Sequence, residues 1–196
     1  ACWYLPFPFS ATTTIPDMSA SLSEMPSIIP PSPWVVRHAP SIRAGGKVLD
    51  LACGSGRHAC FLAGLGYSVL AVDRDAEALA AMPATPAVIT RQLDLEGEDW
   101  PLAGQMFDGI VVTNYLWRPR LPDVLALLAP GGVLIYETFM LGNAAYGKPS
   151  NPAFLLQAGE LRQIAAAAGL REIDYTEGYV ASPKPAMRQA ICALRD

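Results

Sequence analysis

The sequence predicts an α/β protein built on a doubly wound, mostly parallel sheet, and three observations carry that expectation. Short apolar runs alternate with helical segments from Trp34 to the C-terminus. The early runs are continuously apolar, as strands covered on both faces of a parallel sheet must be. The last two runs are separated only by residues 181–187, too few for a helical crossover, so they are expected to pair antiparallel at one edge. Hydrophobic residues make up 52% of the 196 and charged residues 16%, which suits one compact domain and excludes a disordered chain.

The elements follow in order. Residues 1–33 contain Pro6, Pro8 and Pro16, which break any helix, and no Lys or Arg precedes Arg37. A secretory signal would need a basic head. This segment is expected to be a disordered or extended leader, in part a start-site extension, with the domain running from 34 to 196. KVLDLA (47–52) reads as a buried strand that ends at a glycine turn, and residues 57–65 as the helix after it, closed by Gly66. SVLAV (68–72) is the second strand, and residues 75–82 a short helix capped by Asp75 and stopped by Pro83. AVITRQL (87–93) is the third, followed by a polar acidic loop where a helix would be usual. FDGIVVT (107–113) is the fourth strand. Residues 121–128 form a helix ended by Pro130-Gly131-Gly132, and GVLIYETF (132–139) is the fifth strand. A loop of about twenty residues leads to a helix at 159–168, and residues 172–179 and 188–194 complete a set of seven strands.

In such sheets ligands bind beyond the carboxyl ends of the strands. Gly54-Ser55-Gly56-Arg57-His58-Ala59 fits the dinucleotide pattern G-x-G-x-x-G/A, and Asp73 stands at a strand end where a carboxylate can accept from both ribose hydroxyls. NAD and S-adenosylmethionine both contain adenosine and fit this far. Three features separate them. Asp50, four positions before Gly54, would repel a pyrophosphate and attract an amino-acid ammonium. Asp94 offers an acceptor to the adenine amino group and Leu95 an apolar surface to its ring. No Tyr is followed four residues later by Lys, and there is no room for a separate substrate domain.

LDLACGSG, AVDRD, QLDLEG, FDGIVVTNYL and LLAPGGVLIYETF resemble the successive motifs of class I S-adenosylmethionine-dependent methyltransferases, from Lys47 to the C-terminus. CGSGRHACFLAGLGYSVLAVDRD is similar to the small bacterial tellurite-resistance type. The resemblance implies a Rossmann-like seven-stranded sheet with its final strand inserted antiparallel, and S-adenosylmethionine as cofactor. It places the methionine part on Asp50 and the loop Ala52, Cys53, Gly54, Ser55 and Gly56. It places the ribose on Asp73, with Arg74 bordering the adenine and Asp94 and Leu95 flanking it, and turns Asn114 toward the methyl group. The short, helix-free region after the third strand departs from the family pattern on the adenine side.

Methyl transfer from a sulfonium is an in-line displacement, so alignment and a dry pocket do most of the work, and a base is needed only for an acceptor that must lose a proton first. Asn114 and Tyr115 are the catalytic candidates. Tyr115, Trp117, Arg118, Glu137 and Phe139 are candidates for the acceptor side, with Tyr146 and Lys148 expected to close over the substrate from the long loop. Arg118 and Arg120, with Lys148, Lys184 and Arg188, would form a positive rim for an anionic small molecule or a tRNA backbone. His58 reads as a packed or solvent-facing histidine and Cys53 as a small packing residue.

The net charge of −4 and pI near 5.2 give no general attraction to nucleic acid, which favours a small-molecule acceptor. A tRNA, RNA or protein methyltransferase is the alternative, then an NAD-dependent oxidoreductase or a non-catalytic cofactor-binding protein. Cys2, Cys53, Cys60 and Cys192 have neither C-x-x-C nor zinc spacing, so free thiols and no metal are expected. The expected setting is cytoplasmic, without membrane contact, as a monomer or homodimer.

Overall fold

The computed structural model describes residues 29–196. The expected leader therefore lies largely outside the described residues. Among the described residues the first buried one is Ser32, two positions before Trp34. The Ser32 hydroxyl accepts the Trp34 N–H (3.1 Å) and caps helix α1 (Pro33–His38). Its own backbone N–H donates to His58 Nε2 (3.1 Å), and His58 Nδ1 faces Thr113 Oγ1 at 3.4 Å. Burial pushes the His58 pKa down to about 3, so the ring is a neutral packing element.

The seven strands are β1 (Lys47–Leu51), β2 (Ser68–Asp73), β3 (Val88–Gln92), β4 (Phe107–Thr113), β5 (Leu128–Phe139), β6 (Arg171–Val180) and β7 (Ala186–Leu194). Their order is β3-β2-β1-β4-β5-β7-β6. The first five run parallel, and β7 is antiparallel to both β5 and β6. The C-terminal pair thus occupies one edge as expected. β7 is inserted next to β5, which leaves β6 as the edge strand.

Side-chain alternation splits the core in two. Leu49, Leu51, Ile110, Val112, Leu134 and Tyr136 face α4 (Leu121–Ala126) and α5 (Glu160–Ala167). Val48, Val69, Val111, Ile135 and Cys192 face α1 and α2 (Arg57–Gly64). Cys53, Cys60 and Cys192 are free thiols. No helix among the described residues is long and apolar enough to cross a membrane.

Two departures from the sequence reading have physical causes. The fifth strand starts at Leu128 rather than Gly132, because Phe107 pairs with Leu128 while Gly109 pairs with Val133. The Pro-Gly-Gly segment is a bulge within the strand and not a break before it. β3 is not buried on both faces: no helix follows it, and Ile89 is 67% exposed.

The long loop after β5 is tied down. Met140 bridges Leu156, and the buried Asn143 side chain donates to the Pro149 carbonyl (3.0 Å) and accepts the Met187 N–H (3.2 Å). Arg118 locks the far end. Its Nε and Nη2 donate to the two Glu160 oxygens at 2.6 and 2.9 Å, and its Nη1 and Nη2 to the Ala153 and Leu155 carbonyls.

Arg118→Ala should cost about 2–3 kcal/mol in urea unfolding, because it strands a mostly buried Glu160 carboxylate. Arg118→Lys should recover only part, since an ammonium lacks the fork geometry. A loss indistinguishable from zero would show that the clamp carries no stability.

Candidate cofactor and acceptor site

The site is built where β1 stops. Cys53 N–H bonds the Val72 carbonyl at 3.0 Å, turning the chain toward β2. Ala52, Gly54 and Gly56 all take positive φ (56°, 55° and 77°). A Cβ on Gly54 would meet open space, so glycine there serves conformation and leaves backbone accessible to a ligand. A Cβ on Gly56 would lie 2.2 Å from the tip of the Met82 side chain, and the positive φ there favours glycine in any case. Ala52 and Asn114 are the two described non-glycine residues with positive φ, and both sit at strand ends facing the crevice. Such conformations concentrate at functional sites.

Asp50 lies in the centre of the sheet, in register with Ala71 and Val111. It is 1% exposed and its Oδ2 has no hydrogen-bond partner. Burial raises its pKa from 3.8 to about 7, against a backbone hydrogen bond from Ala59 and the charge of Arg57. An unpartnered buried carboxylate under a glycine loop fits a cationic ligand group and would repel a phosphate. Asp73 is fully oriented. Its Oδ2 accepts the Gly54 N–H (2.7 Å) and its Oδ1 the Asp75 N–H (2.9 Å), leaving lone pairs toward the crevice. Asp75 caps α3 (Ala76–Ala80) through the Glu77 and Ala78 amides.

Beside Asp73 lies a cleft of about 160 Å³, lined also by Ala52, Arg74, Asp94, Leu95 and Tyr115. Leu95 is buried and offers the apolar wall, while Asp94 is exposed and accepts the Glu96 N–H (2.9 Å). Leu93 and Glu96 complete the lining, and Glu96 pairs with Arg74 across it at 3.7 Å. The sequence reading named neither, although Glu96 follows Asp94 by two positions in LDLEG.

Several acceptor-side expectations need correction. Tyr115 belongs to this cleft rather than to the acceptor side: its hydroxyl is buried without a partner among Asp73, Asp94 and Glu96, and burial pushes its pKa up, so it keeps its proton. Arg118 is spent on Glu160 and two carbonyls, and Arg120 on Asp123 and the Gly97 and Glu98 carbonyls. Neither guanidinium contributes to a rim, because each is consumed by internal acceptors. Trp117 is half-buried before the short 3-10 turn Arg118–Arg120. Tyr146 is 47% exposed and packs against Tyr179 at a tilt (5.2 Å between centroids, 41° between planes), and Lys148 is exposed; neither covers the crevice.

Glu137 and Phe139 stand at the end of β5, with the Glu137 carbonyl accepting the Asn114 N–H at 3.0 Å. Burial pushes the Cys53 thiol up, which suits packing and not nucleophilic attack. Among the described residues no group of three or more His, Cys, Asp or Glu side chains is placed to hold a metal.

Comparison with known proteins agrees with this geometry. Residues 48–132 match the family model of a methyltransferase domain. The chain is 39% identical over 103 residues to the protein-L-isoaspartate O-methyltransferase of Chlorobaculum tepidum, covering 50% of this chain and 47% of that protein. It is 30% identical over 115 residues to the tRNA U34 carboxymethyltransferase of Methylococcus capsulatus, covering 52% and 35%. The chain therefore spans less than half the length of these curated relatives. Among solved structures it is similar to TehB from Haemophilus influenzae, with TM-score 0.66 and 22% identity over 83% of this chain and 61% of that one. The match over residues 48–132 is thus to a methyltransferase domain, and the likeness to TehB is one of fold, with the same mostly parallel sheet.

Proposed function

We propose that this chain transfers the methyl group of S-adenosylmethionine to a small-molecule acceptor. The observation that carries the cofactor half is Asp50, a buried carboxylate with one oxygen unpartnered beneath an open glycine loop. The cofactor's ammonium supplies the missing partner. Ala52 to Gly56 offer backbone to its methionine part, Asp73 accepts from the ribose hydroxyls, and Leu95, Asp94 and Arg74 border the adenine. Tyr115 adds a protonated hydroxyl as a donor toward the adenosine. When bound, the cofactor supplies an electrophilic methyl on a sulfonium that leaves as a neutral thioether. The chain's own contribution is alignment: Asn114, held in positive φ and bonded to β5, borders the acceptor side.

A small acceptor is supported by the fate of the arginines. With Arg118 and Arg120 turned inward, the expected rim loses two of the five cations that could follow a phosphate backbone. The protein and tRNA activities named for the relatives are the competing reading, and the chain matches only part of each.

Calorimetric titration should show saturable binding of S-adenosylmethionine and none of NAD, and Asp73→Ala should weaken the former by at least about tenfold. Preferential binding of NAD would reverse the assignment. Release of S-adenosylhomocysteine should then appear with small molecules and stay at background with bulk tRNA and isoaspartyl peptides. Turnover confined to either polymer would replace the small-molecule acceptor.

Asp50→Asn separates stability from binding. The folded pKa of Asp50 lies above its unfolded value, so the folded chain binds the extra proton between about pH 4 and 7. Its contribution to stability therefore grows as pH falls through that window and is a cost above it. Without cofactor, D50N should be more stable than the wild type at pH 8. It should lose that advantage by about 1.4 kcal/mol per pH unit between pH 7 and 4. With cofactor, wild-type affinity should rise with pH through 7, and D50N should bind weakly with no such rise. Parallel stability profiles for the two proteins would show that Asp50 does not titrate on folding.

A further inference from the structure

Beyond the adenosine cleft, one cation at the carboxyl end of the sheet has no protein partner that satisfies it. Arg188 on β7 is in register with Phe139 on β5 and Gly178 on β6. Side chains in register across a sheet share a face, so the guanidinium stands between an aromatic ring and a gap. It lies 4.3 Å over the Phe139 ring, and a Cβ placed on Gly178 would meet nothing within 4 Å. Glu137, two residues before Phe139 on the same face, approaches Nη1 only to 3.8 Å, too far for a hydrogen bond.

Among the described residues nothing else hydrogen-bonds this guanidinium, although its side chain is only 23% exposed. Arg43, Arg118, Arg120, Arg162 and Arg171 each donate to a carboxylate. Burial, with the like charge of Arg57 nearby, pushes the Arg188 pKa down, and Glu137 opposes this.

We infer that Arg188 is the anion-binding residue of the acceptor site, and that the acceptor carries a carboxylate. The inference rests on the transferase reading above and names its substrate class. A planar carboxylate matches the guanidinium fork with two parallel hydrogen bonds, while Phe139 covers one face of the cation. The gap at Gly178 gives the group room. Glu137 limits the tolerated charge: a monoanion shares the cation with it, whereas a dianion meets a second negative charge at close range. The position suits an acceptor, because Glu137 is bonded through its carbonyl to Asn114, at the end of β4, which lies across β1 from the strands β2 and β3 beside the adenine wall.

The test titrates the protein, with and without S-adenosylhomocysteine, against acetate and acetamide, benzoate and benzamide, and sulfate. Each acid should bind at least about tenfold more tightly than its amide, and more tightly than sulfate. Glu137→Gln should strengthen acid binding by freeing the guanidinium. Arg188→Gln alone would strand Glu137, so the double variant E137Q/R188Q is the informative loss. It should erase the acid preference while binding S-adenosylhomocysteine as the wild type does. Equal affinity for acid and amide, an acid preference that survives the double variant, or tighter binding of sulfate would overturn the inference. Acid preference without any binding of S-adenosylhomocysteine would instead overturn the cofactor reading and leave the Arg188 site standing.

Discussion

The structure turns on a carboxylate buried in the middle of a sheet. Asp50 sits between Ala71 and Val111 on the interior strand β1, where every other requirement of packing calls for an aliphatic side chain. A group that costs several kcal/mol to desolvate persists there only because the surrounding structure is stable enough to carry it. Two apolar layers, one on each face of seven strands, supply that stability. The glycine loop, the ordered Asp73 and the positive-φ residues Ala52 and Asn114 then gather around a buried carboxylate that is electrostatically incomplete.

Local patterns made most of this legible in the sequence. Strand positions follow from apolar runs, and the crevice follows from acidic residues at the ends of β1 and β2 and just past β3. β4 is matched to the residue, because Phe107 opens it and the β-branched run Ile110 to Thr113 carries it to its end. Features that depend on residues far apart were hidden. Arg118 reads as a surface cation until Glu160, 42 positions later, is seen to receive it. Asn143 reads as loop filler, yet it pins residues 140–149 to β7. Tyr115 follows strand β4 as an acceptor-side residue would, and only the left-handed turn at Asn114 sends its ring toward the adenosine cleft.

The division of the arginines explains how an acidic chain keeps a selective cation at its site. Arg118 and Arg120 hold loops in place by donating to carbonyls and carboxylates. Their charge is neutralised where it is needed for architecture. Arg188 is bordered instead by an aromatic face and a carboxylate 3.8 Å away, an arrangement that leaves its donors without a hydrogen-bond partner among the described residues. The same residue type thus serves two purposes, and the difference lies in the acceptors within reach.

The uncovered β3 has a consequence for how copies of this protein behave in solution. Its outer edge presents unpaired main-chain donors and acceptors, the feature through which sheets extend from one molecule into the next. Here the strand is five residues long, and Thr90-Arg91-Gln92 supply most of it. A charged side chain in the middle of so short an edge disfavours stacking against an identical neighbour. Omitting the helix after β3 thus leaves a sheet margin guarded by polarity rather than by cover, and Arg91 is the residue that guards it.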